Sequence, residues 1–303
     1  TTEIYTLSLH DALPIFTVTS TPFREDGSID YDGVEQNLEW QIKKGVHGLL
    51  PLGATGEYGA LSMQERLDVA HFFLAKVNQR VPVIVGAISS TAETTIDISR
   101  HAADHGAAAV MILPPPGTHP SQDEIFNYYK TISENVPLPV MIYNNPGSSG
   151  VDIAPGTLEK ITTLPMMHYI KESTGDIRRM TGILDALDGR ILPFCGCEEL
   201  AYESFMLGAR GWICVIGNFA PGMAVELYRR TVEEKDFAGG WALYRKMLPM
   251  LGHLEQSGRL WQTVKYVQDR IGLAGGKLRS PRLPLTTSQM YEVDKILEAN
   301  PLY

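Results

Sequence analysis

No stretch of the 303-residue chain is rich in lysine and arginine, and acidic residues outnumber basic ones 35 to 26. The net charge of −9 is spread along the chain without a basic run, so the cationic surface that grips a phosphate backbone is missing and nucleic acid is disfavoured as a partner. Long apolar runs are missing as well. The longest, Ala107 to Pro116 and Ala12 to Val18, fall short of the ~20 residues of a membrane helix, and the chain reads as soluble, without a membrane partner. Cysteine is scarce: Cys195, Cys197 and Cys214 cannot all pair, and a chain this long can bury a core without disulfides, which makes a reducing cytoplasm the expected setting. Cys195-Gly196-Cys197 has the wrong spacing for a redox pair or half a zinc site, so buried packing is expected. Linker-like and low-complexity segments are absent too, and 44% hydrophobic with 20% charged residues is an ordinary globular composition.

What is present is an alternation. Short apolar runs recur about eight times, at Ile15 to Thr19, Gly48 to Leu52, Val81 to Gly86, Ala108 to Leu113, Pro139 to Asn144, His168 to Lys171, Ile191 to Cys195 and Gly211 to Val215. Most are continuous rather than alternating, as parallel strands are when both faces are buried. Helical patterns lie between them with start signals: Asp30 before Tyr31 to Lys44, Ser62 before Met63 to Asn78, Thr91 before Ala92 to His105, and Ser121 before Gln122 to Glu134. Ser62 with Glu65 and Ser121 with Glu124 fit capping boxes. From about Pro221 only helical patterns remain. The expected fold is therefore α/β, a (β/α)8 TIM barrel over residues 14–235 with a C-terminal helical extension over 236–303. Residues 1–13 have neither a clear period nor a signal-peptide layout. Tyr5 to Ile15 reads like a translated sequencing-adapter fragment joined to a truncated gene, so this segment is expected to be extraneous or disordered and His10 and Asp11 to carry no chemistry.

In a parallel barrel the chemistry sits at the C-terminal ends of the strands. After the second strand comes Gly53-Ala54-Thr55-Gly56-Glu57-Tyr58-Gly59, a turn whose backbone can approach a ligand closely and offer N–H groups to an anion; alone it reads as an ordinary βα turn. The fifth strand ends at Tyr143-Asn144-Asn145-Pro146, the sixth at Lys171-Glu172-Ser173-Thr174-Gly175. Lysine is rarely buried unless paired or functional. Burial favours a neutral amine, which can attack a ketone to form a Schiff base, an electron sink for cleaving a neighbouring carbon–carbon or carbon–oxygen bond. The competing reading is that Lys171 reaches the barrel mouth and pairs with Glu172 or Glu198. Tyr143, one strand earlier, is either a proton relay beside Lys171 or a core-edge aromatic.

Taken together, Gly53-x-Thr55-Gly56-Glu57, Tyr143-Asn144-x-Pro146 and Lys171-Glu172-x-Thr174-Gly175, in this order and at these separations, resemble the dihydrodipicolinate synthase and N-acetylneuraminate lyase family. The resemblance covers about residues 15 to 300. It extends to Thr21-Pro22-Phe23 with Asp26-Gly27-Ser28-Ile29-Asp30, to Cys195-Gly196-x-Glu198-Glu199 and to Arg282-Leu283-Pro284-Leu285. It implies a metal-free, cofactor-free class I lyase acting on pyruvate or another 2-oxo acid. Lys171 would form the Schiff base and Tyr143 would shuttle the proton. The backbone amides of Ala54 and Thr55, with the Thr55 hydroxyl, would hold the carboxylate, and Gly196 and Ile213 would line the same pocket. A homotetramer built as a dimer of dimers is implied too.

The departures from the family pattern bear on the second substrate. Ala54 replaces a hydroxyl residue of the usual proton relay, for which Tyr58 is a local substitute. Gly117, within Pro114-Pro115-Pro116-Gly117-Thr118-His119, stands near the place of a tyrosine lent across the dimer. Ser148 stands where the synthases carry an arginine for the aldehyde's carboxylate, and losing that cation removes a charge-assisted hydrogen bond. A keto-deoxy sugar acid or a hydroxyproline-derived acid is the expected substrate class, with Ser148, Ser149, Thr118 and His119 as candidate hydrogen-bonding groups. The alternatives are an authentic 4-hydroxy-tetrahydrodipicolinate synthase, a metal-dependent barrel lyase or a non-catalytic 2-oxo acid binder. Three other signals are set aside. His101 and His105 lie on one helix face without an evident third ligand, Gly272 to Leu278 lacks the hydroxyl and spacing of a phosphate loop, and Trp212, Trp241 and Trp261 read as core or interface aromatics.

Overall fold

The computed structural model describes residues 14–187 and 189–303; the expectation for residues 1–13 lies outside them. Eight strands form one sheet: β1 (Ile15–Val18), β2 (Gly48–Leu50), β3 (Ile84–Gly86), β4 (Ala109–Ile112), β5 (Val140–Asn144), β6 (Met167–Glu172), β7 (Leu192–Cys195) and β8 (Gly211–Cys214). Every neighbouring pair runs parallel, in the order β2-β1-β8-β7-β6-β5-β4-β3. The two ends meet through a parallel bridge between Leu49 and Val83 and a hydrogen bond from the Leu49 N–H to the Pro82 carbonyl at 3.1 Å, which closes the barrel.

Strand side chains alternate between the two faces. Phe16, Val18, Leu50, Met111, Tyr169 and Phe194 meet in the barrel interior, while Leu49, Val85, Val110, Ile112 and Ile170 pack outward against helices. Helices α1 (Tyr31–Lys43), α2 (Met63–Val77), α3 (Ala92–Asp104), α4 (Gln122–Asn135), α5 (Pro146–Ser149), α6 (Pro155–Ile161), α7 (Ile177–Leu187), α8 (Ala201–Leu207) and α9 (Pro221–Tyr228) follow the strands. Beyond them α10 (Phe237–Gln256), α11 (Leu260–Arg270) and α12 (Thr287–Ala299) form the C-terminal extension, packed on a second apolar cluster with Trp212, Tyr244 and Met250.

Both capping boxes are formed, at Ser62 with Glu65 and Ser121 with Glu124, and the Thr91 side chain caps α3. Asp30 does not cap α1; its carboxylate instead pairs with Arg24 at 3.4 Å. β3 is shorter than the apolar run that marks it: Pro82 has no N–H for a ladder, and Val83 meets β2 only in an isolated bridge to Leu49. β6 is longer by one residue at each end, its register shifting where Val140 pairs with Met167 and Met141 with Tyr169. Of the tryptophans expected as core or interface aromatics, Trp212 is fully buried and Trp241 is 42% exposed in the single chain. Between α11 and α12 the chain returns over the barrel mouth: Lys277 bridges Phe23, and Arg279 bonds the carbonyls of Gly27 and Ala60. The Gly272 to Leu278 segment is a loop, as expected. No helix among the described residues is long and apolar enough to cross a membrane.

Candidate active site

β5 and β6 pair with Tyr143 opposite Lys171 and Asn144 opposite Glu172. The period of two then separates the pairs: Tyr143 and Lys171 face the interior, Asn144 and Glu172 the helices. Lys171 is 5% exposed, and its Nζ lies 4.5 Å from the centre of the Tyr143 ring. Neither expected carboxylate partner takes the lysine. Glu172 accepts from Asn144 Nδ2 at 3.1 Å and the Thr174 N–H at 2.9 Å, with Arg179 Nε at 3.9 Å. Glu198 accepts the Val215 and Ile216 N–H groups at 2.6 and 3.0 Å. Among the described residues no ion pair holds the Lys171 amine: the pleat turns Glu172 away, and Glu198 and Glu255 act on the lysine only at longer electrostatic range.

The Tyr143 hydroxyl accepts from Asn145 Nδ2 at 2.7 Å, which fixes the oxygen and leaves its own proton to be donated elsewhere. Its ring and the lysine stand over an apolar layer that includes Ile213, fully buried at β8. Gly196 is the first residue after β7, on the same parity as Phe194. A Cβ there would sit 2.8 Å from both Cγ and Cε of Lys171 and closer still to Ser173 Oγ, so the missing side chain is what makes room for the stem of the lysine.

The Gly53 to Gly59 turn covers the interior from the β2 side, and a Cβ on Gly53 would strike Val18 at 2.5 Å. Two non-glycine residues bracket it in the left-handed region, Leu52 at φ 62 and Glu57 at φ 54, and such strain gathers at ligand-binding turns. Thr55 is buried. Among the described residues no backbone or side-chain acceptor takes the Ala54 or Thr55 N–H, so two successive donors are free for an anion. Tyr58 is half-buried beside this turn, its hydroxyl raised by burial, with Tyr143 within electrostatic reach and the Arg66 guanidinium 5.3 Å over its ring.

The second-substrate groups divide. Ser148 is exposed on α5, its N–H bonded to Asn145 Oδ1 at 3.1 Å. Ser149 and Thr118 use their hydroxyl protons locally, Ser149 toward the carbonyls of Asn145 and Val151 and Thr118 toward that of Pro115, which leaves them as acceptors only. His119 packs on Gly150. Burial pushes the Cys195 thiol up to about 12 and lifts Cys197 and Cys214 above the ordinary thiol range, which makes all three poor nucleophiles. Burial, with Glu255 close by, raises the Glu198 carboxyl to about 8. His71 joins His101 and His105, with ring centroids 4.6 and 4.2 Å apart. No metal-holding group of three or more His, Cys, Asp or Glu exists among the described residues.

Three neighbours escaped the sequence reading. Ser173 is two residues beyond Lys171 and hence on the same face, and its buried Oγ has no hydrogen-bond partner; that parity was available as a signal. Asn145 lies in the unspecified position of the Tyr143 motif. Trp261 donates from its indole to the Ala54 carbonyl at 2.7 Å, across a separation no local pattern can carry.

Residues 11–300 match the model of the dihydrodipicolinate synthetase family. The 4-hydroxy-tetrahydrodipicolinate synthase of Psychrobacter sp. (strain PRwf-1) is 34% identical over 281 residues, 92% of each chain. Among solved structures, the chloride-inhibited dihydrodipicolinate synthase of Acinetobacter baumannii complexed with pyruvate superposes with a TM-score of 0.91 at 30% identity, covering 96% of this chain and 99% of that one. Dihydrodipicolinate synthase of Thermotoga maritima gives 0.90 at 27% identity, with 96% and 99% covered.

Proposed function

The chain belongs to the dihydrodipicolinate synthetase family and is a lyase of the Schiff-base class; we propose that Lys171 is its Schiff-base residue, acting on pyruvate or a larger 2-oxo acid. The observation that carries this reading is a buried amine over the Tyr143 ring, in no ion pair among the described residues, in a barrel whose β2 turn keeps two N–H groups free.

The substrate's carboxylate binds the Ala54 and Thr55 amides and the Thr55 hydroxyl, which brings its C2 carbonyl to the lysine. The unprotonated amine attacks C2, and the carbinolamine loses water to give an iminium ion. Tyr143, its oxygen held by Asn145, supplies and withdraws the protons these steps require. The iminium then accepts the electron pair of the C3–C4 bond as the C4 hydroxyl gives up its proton, releasing an aldehyde and leaving an enamine, which is protonated at C3 and hydrolysed by water to free pyruvate and the lysine. Alternatively, loss of a C3 proton gives an enamine that expels hydroxide from C4. Gly196 and Ile213 shape the space beside the reacting carbons, and Ser148 at the mouth addresses the distal part of the substrate with a hydroxyl rather than a cation.

That last feature favours a keto-deoxy sugar acid or a hydroxyproline-derived acid. A second reading, 4-hydroxy-tetrahydrodipicolinate synthesis, is favoured by the name of the curated relatives. We further propose a homotetramer working in the cytoplasm. Incubation with a panel of 2-oxo-3-deoxy sugar acids, followed by assay for pyruvate and for dehydrated product, tests the primary reading. Condensation of pyruvate with aspartate semialdehyde at a higher kcat/KM than turnover of any panel member would establish the second reading instead.

A further inference from the structure

The Ala54 carbonyl receives two hydrogen bonds, from the Trp261 indole at 2.7 Å and from the Glu57 N–H at 2.9 Å. That carbonyl and the Thr55 N–H belong to one planar trans peptide group and therefore point in opposite directions. Whatever holds the oxygen aims the N–H. A hydrogen bond on the carbonyl also polarises the group and strengthens its donor end.

Trp261 is itself gripped. The Arg282 guanidinium lies 3.8 Å over its ring and 3.9 Å from Glu57 Oε2. One turn further along α11, Lys265 Nζ meets Glu57 Oε1 at 2.7 Å, with both side chains almost wholly buried. Burial lowers the Lys265 ammonium, and Glu57 opposes that shift. Glu57 is the turn's left-handed residue, so α11 fixes the turn at two points, one on each side of Thr55 and Gly56.

We propose that Trp261 is a positioning residue for 2-oxo acid binding: through the Ala54 carbonyl it orients the Thr55 N–H toward the substrate's carboxylate. The C-terminal extension thereby completes a binding turn that belongs to the barrel. This inference rests on the Schiff-base reading above, and the test separates the two.

The experiment is borohydride trapping in the full-length protein as a function of ligand concentration, with pyruvate and with acetone, a ketone that has no carboxylate. Trp261→Phe keeps a ring beneath Arg282 and removes the donor with the smaller ring of the indole, a loss of packing that the acetone titration reads separately. Its half-saturating pyruvate concentration is expected to rise about tenfold, with the plateau of trapped adduct and the acetone titration unchanged. Trp261→Gln carries an amide N–H of similar reach and is expected to recover most of the pyruvate affinity. Trp261→Met, a second donor-free variant, serves if the phenylalanine form does not fold. An unchanged pyruvate titration in the donor-free protein overturns the proposal, and so does a parallel loss with acetone, which a general packing role would produce. Failure of the parent to trap pyruvate would instead remove the Schiff-base reading.

Discussion

Gly196→Ala adds one carbon at the most crowded point of the site. Its Cβ would lie 2.8 Å from Cγ and Cε of Lys171 and nearer still to Ser173 Oγ, whereas carbon atoms in contact settle about 3.5–4.0 Å apart. The lysine must therefore withdraw by roughly 1 Å. Overpacking of this kind costs about 1–3 kcal/mol, and a displacement of roughly 1 Å at a reacting group lowers rates on the order of 10²-fold. The rate of borohydride-trapped imine formation at saturating pyruvate, measured beside thermal denaturation, reads both effects. Removing the hydroxyl as well, in Gly196→Ala with Ser173→Ala, relieves the nearer clash and is expected to recover stability more than rate, because the Lys171 contacts remain. A Gly196→Ala protein that traps pyruvate at nearly the parent rate would refute the placement of the lysine side chain against residue 196.

Tyr143→Phe is expected to slow imine formation by about 10²-fold or more with little change in half-saturating pyruvate; an unaltered rate would assign the proton transfer to another group. Glu198, raised from 4.5 to about 8 by burial and Glu255, holds a proton in the folded state that the unfolded chain releases above its ordinary pKa. The resulting stabilisation is complete below 4.5 and is lost as pH rises toward 8. The Tm of the parent should fall over that interval and that of Glu198→Gln should fall less, while equal slopes would place the titration elsewhere. Arg179→Met leaves Glu172 buried without its cation; with Asn144 and Thr174 still bonded to the carboxylate, the loss should be about 2 kcal/mol, below the usual range for an orphaned buried charge. Urea midpoints measure it, and no shift would mean that Arg179 contributes nothing to holding the ends of β5 and β6.

Much of the barrel was legible because its signals are local. Continuous apolar runs between capped helices imply buried parallel strands, and a lysine closing such a run stands out without any structure. Position along strands also placed Tyr143 beside Lys171, since parallel neighbours in a closed barrel present their C-terminal ends together. What stayed hidden depends on orientation or distance. The pleat directs Glu172 away from Lys171, so adjacency in sequence suggested a pair that does not form. Asp30 has the residue type of a helix cap, yet Arg24 competes for its carboxylate. Ser149 and Thr118 offered hydroxyls whose protons their own turns engage. Trp261 reaches Ala54 because the fold sets the start of α11 against the Gly53 to Gly59 turn, and no pattern within either segment encodes that meeting.

The central claim is that Lys171 forms a Schiff base, and intact-mass spectrometry after borohydride reduction with pyruvate tests it most directly, with peptide mapping to locate the modification. The parent protein is predicted to gain one reduced pyruvyl group per chain, located on Lys171, and Lys171→Ala to gain none. A folded parent that acquires no adduct with pyruvate or any larger 2-oxo acid, or an adduct that persists in Lys171→Ala, would contradict the account.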